Sequence, residues 1–325
     1  MGLHGIALSR PRAPDSGPRP AYRANPDRRF AQNLRSPQNS RRPRSSIRHS
    51  NFKGPKVFST TTFAGIPCNT AMPSASYAVL GATGKTGQAL LRVLSQSPDK
   101  EIHAYCRSKS RLLRLSPDLM SNPNLRVYEG NLKDVALIAD CIAGTRAVFL
   151  TVAMSSNMPG CTIAIDTARI VVAAIERLHT KPPHLIMLSS ASLDEKLCHD
   201  VPRPIHWLLL ACVSHVYKDL VKAEEYLRFQ GDSITTTFVK PGGLVHDAQK
   251  GHELSTERAQ TFLSFLDLAA GMIEIADEDG DKWDMKSVSV LPTAKNVKIE
   301  WKAPIYLVKG LFFHFFPSLY PFPKS

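Results

Sequence analysis

The sequence predicts an α/β protein: a doubly wound parallel sheet with a small C-terminal region over the substrate cleft and a disordered basic N-terminal tail. Three observations predict it. An apolar strand, Tyr77 to Leu80, runs into glycines at 81, 84 and 87. From there strand-like and helix-like segments alternate, the pattern of a parallel sheet with helices on both faces. Residues 1–75 differ in composition from everything that follows. The expected organisation is a tail over 1–75, a dinucleotide-binding domain with its cleft over 76–300, and an apolar segment over 301–325.

The tail comes first in the chain. It holds 13 Lys and Arg against Asp15 and Asp27, whereas the other 250 residues hold 28 basic against 26 acidic. The net charge of +13 therefore belongs to the tail, and the body is near neutral. A near-neutral body offers no electrostatic footprint for nucleic acid, so no nucleic-acid partner is expected. The tail also carries ten of the 24 prolines and few aliphatic runs. Such a segment buries too little apolar surface to offset its ordering entropy. Its Arg- and Ser-rich, acid-poor composition fits an organellar transit segment or a basic interaction arm. The preferred alternative is a dispensable extension, with translation from Met72. Ile6 stands where a myristoylation signal needs Ser or Thr. The six scattered cysteines, Cys68, Cys106, Cys141, Cys161, Cys198 and Cys212, form no C-x-x-C pair. A reducing, cytoplasmic compartment follows, or a mitochondrial one if residues 1–71 are a genuine transit segment.

Tyr77-Ala-Val-Leu80 is the first strand, and Lys85 to Ser95 the first helix. The turn between them reads G-x-x-G-x-x-G, as a dinucleotide requires. Gly81 permits the tight turn, and Gly84 lets a pyrophosphate approach the backbone. Gly87 lets helix and strand pack closely, and the helix N-terminus offers free N–H groups to phosphate. A nucleotide triphosphatase loop is excluded, because Val79 stands where its first glycine is needed.

The second strand, Glu101 to Cys106, ends in Arg107-Ser-Lys-Ser-Arg111. An NAD site places an acid there to hold the ribose 2′-OH. None is present, and Arg107 can pair with a 2′-phosphate, assisted by Ser108 or Lys109. NADP(H) is therefore expected over NAD(H). Further strands are expected at Leu125–Glu129, Ala147–Ala153, Leu185–Ser189 and Ser233–Val239, with helices at Val135–Ala143 and Ile163–Leu178. Ligands sit beyond the carboxyl ends of such strands. Those ends carry Gly81, Arg107, Asn131, Ser189 and Lys240. The apolar run Trp207–Val213 is too short to span a membrane and predicts a buried helix. Ala303 to Pro321 is mostly apolar but interrupted by Lys309, Gly310, His314 and Pro317. It predicts a helix covering the cleft or packing on the body, with an interfacial membrane contact as the sharper alternative.

Carbonyl reduction, or its reverse, needs an acid or base near the reacting oxygen. Tyr217, Ser190 and Lys222, with Ser189 and Ser192 beside Ser190, resemble the tyrosine, serine and lysine with which short-chain dehydrogenases do this, and are the candidates. Lys222 lies five residues after Tyr217, which rotates it by about 140° on a helix. A Tyr217–Lys222 dyad therefore needs a bent helix or a different role for the lysine. Asp194, Glu195 and His199 lack metal-ligand spacing, so they read as a polar loop over the cleft and no metal is expected.

With these residues in view, the chain resembles the atypical short-chain dehydrogenase/reductases of the NmrA-like, NAD(P)H-binding type. The matching pieces are Gly81-Ala-Thr-Gly-Lys-Thr-Gly87, Arg107, Gly130-Asn-Leu-Lys-Asp134, Ser189-Ser-Ala-Ser-Leu193, Ala223-Glu-Glu-Tyr-Leu227 and Lys240-Pro-Gly-Gly-Leu244. More narrowly, it is similar to fungal proteins of the averufin oxidase A kind. The resemblance implies a Rossmann fold and NADP(H) use. It assigns Gly81, Thr83, Gly84, Lys85, Thr86, Gly87, Arg107, Asn131, Leu132 and Lys240 to the cofactor. The narrower likeness implies oxidation or reduction of an aromatic polyketide, such as an anthraquinone or xanthone precursor. Many NmrA-like proteins instead sense the redox state of the cofactor without turnover, which leaves a regulatory role as the alternative. The phenylalanines of the C-terminal segment suit an aromatic substrate.

Overall fold

The computed structural model describes residues 74–260, 262–294, 296 and 303–322. The tail expected over 1–75 therefore lies almost wholly outside the described residues. So do the candidate transit segment and the start at Met72.

Strand β1 (Ala75–Leu80) is hydrogen-bonded on one side to β2 (Lys100–Cys106) and on the other to β4 (Ala147–Leu150), all parallel. Next to β2 lies β3 (Leu125–Glu129); beyond β4 come β5 (His184–Leu188) and β6 (Thr236–Val239). This 3-2-1-4-5-6 order is that of a doubly wound dinucleotide fold. The sheet continues through β10 (Ser287–Pro292), parallel to β6, and ends in β8 (His252–Ser255), antiparallel to β10. A separate parallel pair joins β7 (Leu244–Val245) to β9 (Leu263–Ser264). The central strands are buried on both faces, which explains their continuous apolar runs rather than alternation.

Helices α1 (Lys85–Leu94) and α7 (Phe265–Asp277) cover one face. Helices α3 (Val135–Ile142), α4 (Ile163–Ile175) and α6 (Ser214–Phe229) cover the other. Short α2 (Lys109–Leu115) follows β2. The sequence pattern missed α7 and β10. The signals were present: Ser264 caps α7 by accepting from the Asp267 amide, and Ser287–Pro292 alternates. Two elements are also shorter than their apolar runs, since β4 stops at Leu150 and α4 at Ile175.

The expectation of a buried helix at Trp207–Val213 is corrected. Helix α5 (Arg203–Cys212) forms there, but Ile205, Trp207 and Leu208 are exposed, and only Ala211 and Cys212 are buried. Its apolar run does not pack into the sheet's core. It packs against α8 (Ala303–Phe315) at the periphery. Among the described residues no helix is long and apolar enough to cross a membrane.

Below the sheet, at the amino ends of the strands, an ionic cluster holds α7 in place. The Tyr77 hydroxyl donates to Asp277, whose other oxygen accepts from Lys100 at 2.6 Å. Arg146 donates to the carbonyls of Ala276 and Asp277, at 2.7 Å each. His184 sits nearby at the start of β5, hydrogen-bonded to Thr237 at 2.8 Å. Burial pushes its pKa down to about 4. The folded state thus holds this imidazole neutral, while the unfolded chain protonates it near its ordinary value. Stability is fully present above about pH 6.5 and is lost as pH falls towards 4, by about 3 kcal/mol from this group. His184→Gln should flatten that part of the urea-unfolding pH profile between 6.5 and 4. An unchanged slope would remove His184 as its source.

Candidate active site

The sheet reverses its winding between β1 and β4, and the glycine turn lies there. Gly81 adopts φ +96°, a left-handed conformation that only glycine takes readily. A Cβ on Gly81 would stand 2.9 Å from the Thr151 hydroxyl just past β4. A Cβ on Gly87 would lie 2.3 Å from the Gly81 carbonyl oxygen. Neither position admits a side chain. Gly84 begins α1 and is exposed. The first amides of α1 have no partner within the helix and face outward beside it. Thr86 is buried and Lys85 is exposed. The turn is thus an open backbone cradle that lacks Cβ atoms at Gly81, Gly84 and Gly87, and it fits a pyrophosphate.

The neighbouring strand ends complete this half of the cleft. Arg107 is exposed directly after β2, and Ser108 caps α2 by accepting from the Arg111 amide at 3.2 Å. The Tyr105 hydroxyl donates to the Asn131 carbonyl oxygen at 2.8 Å. Asn131 is exposed, and its side-chain oxygen accepts from the Lys133 amide at 3.1 Å. Leu132 is half-buried beside it. A Cβ at Gly130 would sit 2.4 Å from a Leu137 methyl and 3.0 Å from the Tyr105 hydroxyl, so the side chains around this turn pack closely on it.

The other half is built on β5, β6 and α6. Ser190 follows β5, and its hydroxyl lies 3.0 Å from that of Tyr217 on α6. The structure thus brings two of the three expected catalytic residues together. The third is not brought to them. Lys222 is exposed on α6 and makes no hydrogen bond to Tyr217, because α6 is regular and turns it away. Helix α6 is anchored by Asp219, a buried carboxylate that accepts from the amides of Ala164 and Ile165 at 2.8 and 3.1 Å. It caps the start of α4, where Thr162 provides no side-chain cap. The anchor sets the depth at which Tyr217 faces Ser190.

Lys240 differs from its expected place as a cofactor contact. It is only 3% exposed, and its ammonium is held by Glu224 at 2.9 Å and Asp194 at 3.3 Å. The Glu224 carboxylate also accepts from the Ser189 hydroxyl. Four residues on the β5 loop, α6 and the end of β6 therefore share one buried network. Burial works against ionisation of Asp194. The Ser287 hydroxyl and the Lys240 ammonium outweigh it and hold the carboxyl below its usual range. The adjacent Ser189 and Ala191 amides bond the carbonyls of Val239 and Pro241, at 2.8 and 3.0 Å. The loop that carries Ser190 is thus braced by charge and by backbone. Asp194, expected in a polar loop, is part of that brace, whereas His199 pairs with exposed Asp200. Glu224 had a legible signal: seven residues after Tyr217 is two turns, so both lie within about 20° on α6.

The described cysteines, Cys106, Cys141, Cys161, Cys198 and Cys212, are free thiols. Burial raises the pKa of each, that of Cys141 to about 12, so none is a ready nucleophile.

Comparison with known proteins bears on the family and the fold. Residues 81–279 match the model of the NAD(P)H-binding family. Oxidoreductase aflX of Aspergillus parasiticus is 53% identical over 258 residues, covering 76% of this chain and 97% of that protein. Oxidoreductase stcQ of Emericella nidulans is 52% identical over 256 residues, covering 76% and 93%. Among solved structures, a short-chain dehydrogenase/reductase from Veillonella parvula superposes with a TM-score of 0.56 at 20% identity, covering 70% of this chain and 99% of that one. A form of that protein in complex with NADP gives a TM-score of 0.52 at 19% identity, covering 68% and 95%. At such identity these structures show the shared fold.

Proposed function

This chain belongs to the NAD(P)H-binding family and is an oxidoreductase with fungal relatives, and on that premise we propose that it uses NADP(H) to oxidise or reduce an aromatic polyketide. The observation that carries the proposal is the Ser190–Tyr217 contact at the carboxyl end of β5, two strands from the glycine turn. When bound, the nicotinamide supplies or accepts the hydride. The chain's own residues do the rest. The glycine turn and the α1 N-terminus take the pyrophosphate. Arg107 takes the 2′-phosphate. Tyr217 gives a proton to the substrate oxygen, or removes it, while Ser190 holds that oxygen. An apolar, aromatic substrate suits the inner side of α8, where Phe313 is buried and which packs against the segment leading into Tyr217.

The test is a fluorescence titration with NADPH and NADH, followed by turnover with a panel of anthraquinones. NADPH-selective binding and cofactor consumption are expected. Arg107→Ala should weaken NADPH by roughly tenfold, the size of one lost charge-assisted hydrogen bond, and leave NADH within about twofold. Equal losses for both would remove the 2′-phosphate role. The displaced Lys222 favours a second reading, a cofactor-sensing regulator. That reading predicts tight NADPH binding with no turnover of any substrate in the panel.

A further inference from the structure

The exposed large apolar side chains of this protein are concentrated on α5, α8 and the turn after α8. On α8 four of the five follow a pattern, Tyr306 being the exception. Ile305, Val308, Phe312 and Phe315 recur at steps of three and four, which places them on one side of a helix. That side is the exposed one: Ile305 is 68% and Val308 69% accessible. The opposite side is fixed to the body. Gly310 packs so closely on α5 that a Cβ would lie 2.0 Å from the Cys212 carbonyl oxygen. The Asn157 side chain donates to the Gly310 carbonyl oxygen at 3.0 Å, and His314 bonds the Ser214 hydroxyl at 2.8 Å. Phe313 is buried, and Tyr320 bonds Ser156 at 2.6 Å. Helix α8 is therefore clamped inner face down, with its apolar outer face held towards solvent. Trp207 of α5, 57% exposed, extends the patch.

Charge decides what covers it. No Asp or Glu occurs between 201 and 218 or from 301 to 325, whereas Arg203, Lys218 and Lys309 are all exposed. Lys309 is exposed on the apolar side of α8 itself. Two copies pairing through these helices would bury like charges, with no acid on α5 or α8 of either copy to match them. A bilayer surface matches both features. Aromatic and aliphatic side chains enter the interface, and a lysine on a long stem reaches anionic headgroups. We propose that the outer face of α5 and α8 docks on an anionic lipid bilayer. It lies on the surface and does not span. The docked face adjoins the α5–α6 junction, three residues before Tyr217.

The basic tail binds anionic vesicles by charge alone, so the experiment reads insertion as well as adsorption. The full chain is mixed with phosphatidylcholine vesicles, with and without brominated phosphatidylserine. Tryptophan quenching and co-sedimentation are followed, the latter at low and high salt. Vesicles with phosphatidylserine should quench the fluorescence, and Trp207→Phe should remove that part of the quenching. Val308→Asp with Phe312→Asp should lower sedimentation with vesicles by roughly tenfold at high salt, where the tail's contribution is screened. Both positions are exposed, and an unchanged unfolding midpoint checks that the pair folds. Absence of Trp207 quenching, or binding indifferent to the aspartates, would overturn the proposal. So would a lipid-free dimer that the same aspartates dissociate, since the face would then belong to a second copy.

Discussion

Tyr217→Phe should lower turnover by roughly 10²- to 10⁴-fold, the range of a lost general acid or base, while NADPH binding stays within about twofold. The expectation follows from the 3.0 Å contact between the Tyr217 and Ser190 hydroxyls. Phe keeps the ring that packs against the helix-covered face of the core and removes only the oxygen. Ser190→Ala should reduce turnover less, because the tyrosine hydroxyl remains in place. Lys222→Ala should change turnover by less than about twofold, since its exposed ammonium makes no bond to Tyr217. Steady-state rates on one substrate with the three variants test the assignment together. Full activity in the Tyr217→Phe variant would remove Tyr217 from the chemistry. A Lys222→Ala loss as large as that of Tyr217→Phe would show that the lysine acts despite its position.

Lys240→Met should destabilise the fold by about 3–5 kcal/mol, read as a lower urea midpoint with unchanged m. The lysine is the cation between Glu224 and Asp194 at 2.9 and 3.3 Å, and its side chain is nearly inaccessible. Methionine fills most of the volume but leaves two partly or wholly buried carboxylates without their partner. The double variant Lys240→Met, Glu224→Gln should recover much of the loss, because one of those charges is gone. The result separates two roles for Lys240. A structural brace predicts lost stability with recovery in the double variant. A direct cofactor contact predicts a normal midpoint with weakened NADPH binding.

The two halves of the cleft differ in how they are encoded. The glycine turn is a local device, since φ at Gly81 and the helix start at Gly84 depend on neighbours within a few residues. Its meaning was therefore legible in Tyr77–Gly87. The alternation of strands and helices is equally local, and it predicts a parallel sheet, as found from β3 through β6. The catalytic half is assembled from afar. Lys240 meets Asp194 across 46 residues and Ser189 meets Glu224 across 35, distances over which periodicity carries no information.

The sequence by itself determined the fold class and the dinucleotide turn. These rest on conformational limits of glycine and on hydrophobic period, which act within one element. Only the tertiary structure decided which charges belong to the site. Helix rotation sends Lys222 to solvent, whereas burial forces Glu224, Lys240 and Asp194 to satisfy one another. It also decided the fate of the apolar run at Trp207. Hydrophobicity alone predicted burial, but the sheet faces were already covered by other helices, and α5 was left to pair with α8 at the surface.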